Sequence, residues 1–250
     1  MKSGNPALNS TVFSEAAKTI AGTGTTELMT LEGTSVKAGI LGLLVAAGAS
    51  YTWQLYFVSH STAAVMPWLV GGSIAGFLVA LITIFNRPLS PYTSPIYAVL
   101  EGLALGGLSA IFDVTYPGIV VQAVALTFAI LAAMLLIYTT RLIQPSENFK
   151  LGVVAATGGI AIYYLIALVL GFFGIQAPLI WDSGPLGIAF SVFVVIIASL
   201  NLVIDFDFIE QGVKEGAPRY MEWYGAFGLV VTLVWLYLEL LRLLAKTSKK

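Results

Sequence analysis

Gly187-Ile-Ala-Phe-Ser-Val-Phe-Val-Val-Ile-Ile-Ala-Ser-Leu-Asn-Leu-Val-Ile204 runs without a charge and is followed at once by Asp205-Phe-Asp207. Such a run approaches the about 20 apolar residues that an α-helix needs to cross a bilayer. The carboxylates at its end are costly so near hydrocarbon. An acidic side chain at the centre of a spanning helix costs about 2.5–3.5 kcal/mol on insertion scales, so one held there faces a polar interior, a partner or an ion path. The same stretch therefore carries the fold and the first functional suspects.

Working outward, six more segments of this kind follow one another along the chain. The spans are expected near Val36–Phe57, Met66–Phe85, Ser94–Phe112, Gly118–Thr140, Leu151–Phe173, Leu186–Ile204 and Tyr224–Ala245, separated by short polar or Pro/Gly-containing breaks. The fold class this predicts is an all-α membrane protein, a bundle of seven transmembrane helices. Composition agrees: of 250 residues, 58% are hydrophobic and only 10% charged, against about 25% charged in an ordinary soluble domain. A net charge of −1 gives no field that would gather nucleic acid. With no cysteine, disulfides, thiol catalysis and thiolate metal sites are excluded. The single histidine, His60, cannot build a histidine metal cluster and is expected in the first interhelical loop.

Three regions are expected: a flexible polar tail over 1–35, a seven-helix domain over 36–246 and a short basic tail over 247–250. The first is rich in Ser, Thr and Gly and lacks the apolar core of a secretory signal peptide. Within it, Asn9–Ala21 has the apolar spacing of a short amphipathic helix.

Lys and Arg tend to remain cytoplasmic near span ends. Lys2, Lys18, Lys37, Arg87, Arg141, Lys150, Lys214 and Arg219 share one side if seven helices cross, and the alternate loops contain neither residue type. The amino terminus is therefore expected in the cytoplasm. Arg242, Lys246, Lys249 and Lys250 would then lie outside, which leaves a re-entrant or shallow last helix as the alternative. Gly72–Gly76 and Gly102–Gly106 are small-xxx-small pairs that let helix backbones approach.

Each charged position has a bland reading beside the functional one. Glu101 interrupts the third span beside Gly102, where it is either a hydrogen-bonded packing residue or a functional group near a helix contact. Asn201 and Asp205 fall on one helix side, and Asp207 and Glu210 on another. Asp205 is expected to face inward, with Asp207 and Glu210 solvated at the helix end. Glu239 has Arg242 three positions on, so the choice lies between a local ion pair and a meeting with a carboxylate from another helix. Two carboxyl groups held close cannot easily both ionise and titrate as a unit. Such a pair at Asp205 and Glu239 would be a proton-sensitive clasp and a weak start toward the six to eight oxygens that Ca²⁺ takes.

These residues also carry a resemblance. Ser191–Phe208 and Glu222–Lys246, with Ile-Asp205-Phe-Asp-Phe-Ile and Leu-Tyr237-Leu-Glu239-Leu-Leu, resemble the sixth and seventh spans of the Bax inhibitor 1 family, in particular its bacterial branch. The likeness extends over Leu31–Leu244, including Ala155-Ala-Thr-Gly-Gly-Ile and Gly216–Gly228. It implies a seven-helix bundle that lets Ca²⁺ leak across a bacterial inner membrane in a pH-dependent way. By motif, the pH-sensing carboxylates fall on Asp205 and Glu239, and an arginine that helps hold them falls on Arg87. Glu239 departs from the aspartate of the family, and the connection between the last spans is longer than the family pattern. The alternative is a membrane-embedded regulator that binds a membrane AAA-type protease or another membrane protein without conducting ions.

Other classes fit poorly. A retinal-type photoreceptor needs a mid-span Lys for its Schiff base, and Lys246 stands at the very end. No Ser/His pair and no aspartic-protease Gly-x-Gly-Asp element is present, so the expectation is no catalytic residue, no enzyme and no cofactor. The partners expected are membrane lipid, Ca²⁺ and protons, and a membrane protein.

Overall fold

In a computed structural model, residues 28–143, 145–175 and 177–248 are described. The expected amphipathic piece Asn9–Ala21, most of the amino-terminal tail and Lys249 and Lys250 lie outside them. Seven helices are each long and apolar enough to cross a membrane. They are α1 (Leu31–Ser59), α2 (Thr62–Phe85), α3 (Ser90–Thr115), α4 (Ile119–Thr139), α5 (Glu147–Phe172), α6 (Pro185–Lys214) and α7 (Met221–Ser248), with a 3₁₀ turn at Arg87–Leu89 ahead of α3.

The helices begin and end where the sequence supplies the chemistry. Thr30 caps α1 by accepting from the Gly33 amide at 2.9 Å, so the first span starts at Leu31 rather than Val36. Ser146 caps α5 through the Phe149 amide. The largest difference from expectation is α6, which continues ten residues past Ile204. Its polar end, Asp205–Lys214, is helical, Gly212 included. The chain leaves it only at Gly216, whose φ of 66° suits a residue without Cβ, with Pro218 just beyond.

The chain divides into two compact units: residues 28–117 with Phe208–Val230, and Gly118–Asp207 with residues 231–248. In the first unit, α3 packs against α1 and α2 through bare backbone. A Cβ at Gly48 would come within 2.7 Å of the Val99 carbonyl oxygen, and one at Gly72 within 2.7 Å of that of Leu100. A methyl group at Gly102 or Gly106 would collide with the carbonyl oxygens of Val45 and Ala49. The small-xxx-small pairs are thus helix crossings, as their spacing predicts.

A polar clasp fastens the start of α1 in this same unit. The Met29 amide donates to the Ala217 carbonyl at 2.7 Å. Glu222, at the start of α7 and 2% exposed, accepts from the Thr30 amide at 2.9 Å and the Thr30 hydroxyl at 2.8 Å, and pairs with Lys37.

The second unit is built from α4, α5, the first part of α6 and the last part of α7. Here α6 and α7 run antiparallel along their length: Thr232 meets Asp205, and Lys246 donates to the Gly187 carbonyl at the beginning of α6. The last helix therefore extends back to the α5–α6 connection, and a shallow re-entrant turn does not describe it. The glycines of α5 differ from Gly48, Gly72, Gly102 and Gly106, since Gly152, Gly158 and Gly159 have nothing within 4 Å of a Cβ position.

Candidate functional site: a ladder of buried polar side chains

Within the second unit, buried and half-buried polar residues of α5, α6 and α7 pair across helix boundaries in successive layers. In α5 they are Lys150, Thr157 and Tyr164, and in α7 Thr232, Glu239 and Lys246, each seven residues apart. Seven residues are two helical turns, about 10 Å of rise, and return a side chain to nearly the same face. The third column stands on α6.

The first layer is an ion pair. Lys150 reaches Asp207 at 2.6 Å, with side-chain exposures of 8% and 15%. Asp207 is therefore not the solvated helix-end residue that the sequence suggests, because the helix continues past it and α5 presents a lysine there. Glu210 pairs with Lys214 one turn on, at 2.6 Å and with Lys214 largely in solvent.

The second layer holds Asn201 and Asp205, 2% and 0% exposed. Asn201 donates to the Thr157 hydroxyl and to the Ile197 carbonyl, both at 2.8 Å. Asp205 accepts from the Thr232 hydroxyl at 2.6 Å. Both face inward, as the helical spacing predicts.

Farther along α7 lies the third layer. Glu239, 1% exposed, accepts from the Tyr164 hydroxyl at 2.8 Å, while Arg242 Nη1 reaches its two oxygens at 2.8 and 2.9 Å. The same nitrogen donates to Tyr164 at 2.7 Å, which closes a triangle. The guanidinium lies over the rings of Tyr164 and Trp181, at 5.2 and 5.9 Å. Lys246, 4% exposed, forms the last layer by donating to the Leu179 and Gly187 carbonyls and to the Ser191 hydroxyl, at 2.6 to 2.9 Å.

This geometry revises the clasp drawn from the sequence. Asp205 is level with Thr232, and Glu239 stands seven residues beyond Thr232, about 10 Å farther along the helix. Each carboxylate has its own hydrogen-bond partners, and the cation at Glu239 is Arg242 from the same helix. The local Glu–Arg pair is thus present, extended by a tyrosine from α5. Among the described residues, no three or more His, Cys, Asp or Glu gather as a metal site.

Arg87 and Glu101 belong to the first unit. Arg87 opens the 3₁₀ turn with its guanidinium 6.0 Å from the Tyr224 ring centre. Nearby, burial pushes the Tyr220 phenol above its usual range while the Arg87 charge pulls it back. Glu101 faces α2, where a Cβ on Gly76 would come within 3.1 Å of its Oε2. Thr157, Thr232 and Tyr164 are not among the sequence's candidate site residues, and Lys150 and Lys246 enter there only through their charge or position. The seven-residue spacing in α5 and α7 is the signal that points to them.

Seven long apolar helices with charged side chains sealed among them define an integral membrane protein, since charge is retained within such spans where it has partners or a task. The family described as Bax inhibitor 1 like matches residues 5–249, nearly the whole chain. The protein belongs to that family. No curated protein and no solved structure matches it.

Proposed function

We propose that this protein is a pH-sensitive cation leak pathway, Ca²⁺ included, of a bacterial inner membrane, and that the polar ladder of α5, α6 and α7 is its conducting element. The observation that carries this reading is the column of buried and half-buried polar groups from Lys150–Asp207 to Lys246. A membrane helix bundle has no need of such groups for packing, and they are expensive unless something polar or charged uses them.

Asp205 is the residue on which the pathway turns. It is fully buried and accepts from the Thr232 hydroxyl at 2.6 Å. An ionised Asp205 attracts a cation into the ladder, and protonation removes that attraction. Asn201, Thr157 and Thr232 supply neutral oxygens beside it, a sparse ligand set that suits a passing ion better than a stored one. The positive-inside rule gives the Lys150 end to the cytoplasm.

Ca²⁺ uptake into liposomes carrying the purified protein, followed from about pH 5 to 8, tests this. Flux above that of empty liposomes, with a pH dependence abolished in Asp205→Asn, is the expected result. No flux at any pH from folded protein refutes the leak and leaves the regulator of a membrane protease or other membrane protein as the reading to pursue.

A further inference from the structure

The end of the first unit that carries the Glu222 clasp also holds a cleft of about 490 Å³, whose lining includes Glu32, Val36, Lys37, Arg219 and Glu222. Gly33 lines it too, and a Cβ there would collide with the Glu222 carboxylate. Lys37 pairs with Glu222 and holds its ammonium 5.6 Å from the centre of the Trp223 ring. With two acidic and two basic side chains, the lining has no net charge. Val36 is exposed, and Ile40 and Leu43, one and two turns farther along the same face of α1, are exposed as well. An aliphatic strip therefore leads from the cleft into the span. The positive-inside rule gives this end of α1 to the cytoplasm.

We propose that this cleft is a phospholipid site for phosphatidylethanolamine of the cytoplasmic leaflet. The phosphate meets Arg219 and Lys37, the ammonium meets Glu32, and an acyl chain lies along Val36, Ile40 and Leu43. A guanidinium offers a phosphate two parallel donors. An ammonium has three N–H donors, so pairing with Glu222 does not exhaust Lys37. A zwitterionic headgroup keeps the cleft neutral, whereas an anionic lipid brings an unbalanced negative charge beside Glu32 and Glu222. A choline headgroup has no N–H to donate to a carboxylate. The aliphatic strip distinguishes a lipid from a soluble phosphate compound, which has no use for it. This site belongs to the first unit and needs no ion flux, so it stands or falls apart from the leak reading.

The test titrates full-length protein in detergent with phosphatidylethanolamine, phosphatidylcholine and phosphatidylglycerol of matched acyl chains. Retained lipid is read by native mass spectrometry, and stabilisation by the melting temperature. Phosphatidylethanolamine is expected to bind most tightly and to raise the melting temperature most. Arg219→Gln is expected to weaken its binding about tenfold, as loss of a hydrogen bond to a charged group does. Lys214→Gln, the same charge change at a largely solvated side chain, leaves it unaltered. Glu32→Gln removes the preference for ethanolamine over choline. Glu32 is exposed, so this variant tests the site even where an Arg219 variant fails to fold.

Equal binding of the three lipids, a preference for phosphatidylglycerol, or binding indifferent to Arg219→Gln and Glu32→Gln overturns the assignment. Glycerophosphoethanolamine, the headgroup without acyl chains, binding as tightly as the lipid overturns it in favour of a soluble phosphate compound.

Discussion

The two units of this chain solve the packing of membrane helices in opposite ways. In the first, apart from the Glu222 clasp at the start of α1, Gly48, Gly72, Gly102 and Gly106 remove side chains from the contact, and carbonyl oxygens come to lie where a Cβ would stand. In the second, the α5 glycines face open space, and α5, α6 and α7 are joined by side chains: Lys150 to Asp207, Asn201 to Thr157, Asp205 to Thr232, Glu239 to Tyr164. Close backbone packing leaves little to rearrange. Side-chain hydrogen bonds have alternative partners in water, ions and one another, so the polar unit is the one suited to a change of state.

That contrast is open to direct attack, beginning where the energies are largest. Lys150→Met leaves the Asp207 carboxylate without its ammonium partner, and removing one member of a buried ion pair costs about 3–5 kcal/mol. Equilibrium unfolding in detergent is expected to register this loss, and the double variant Lys150→Met with Asp207→Leu is expected to recover most of it. A double variant no more stable than the single one would mean that the pair is not what joins those helices.

Glycine substitutions probe the other side of the comparison with a smaller effect. Gly102→Leu drives a side chain into the Val45 backbone, and overpacking of this kind costs about 1–3 kcal/mol. Gly158→Leu in α5, with open space around it, is expected to shift stability by less than about 0.5 kcal/mol, as substitutions away from packed features do. Equal losses at the two positions would remove the distinction between the units.

How far the sequence reveals this follows from what each feature needs. Seven spans are legible because an uninterrupted apolar run has few other uses at that length. The continuation of α6 is legible as far as Glu210 from the helical spacing of Asn201, Asp205, Asp207 and Glu210, but not the last turn to Lys214. It becomes helix through Asp207–Lys150 and Glu210–Lys214 pairing, with Gly216 as the stop. At the site, Asn201, Asp205, Glu239 and Arg242 stand out because polar groups in apolar runs are costly.

Partners are harder to read than costs. Thr157 and Thr232 are ordinary membrane-helix residues until a neighbouring helix brings Asn201 and Asp205 to them. The family motif aligns Asp205 with Glu239, but in the structure Thr232 stands opposite Asp205 instead. Register between helices decided that pairing, and a motif does not carry register.

The central claim is that the polar unit, not the glycine unit, carries the ion. It is tested most directly by Ca²⁺ flux in liposomes containing wild type, Asp205→Asn or Glu101→Gln, each shown to be folded. Both substitutions neutralise an acidic residue within a span, one in each unit. Loss of flux or of its pH dependence in Asp205→Asn, with Glu101→Gln at the wild-type rate, is the predicted result. Flux unaltered by Asp205→Asn and abolished by Glu101→Gln would contradict the account and move the pathway to α2 and α3.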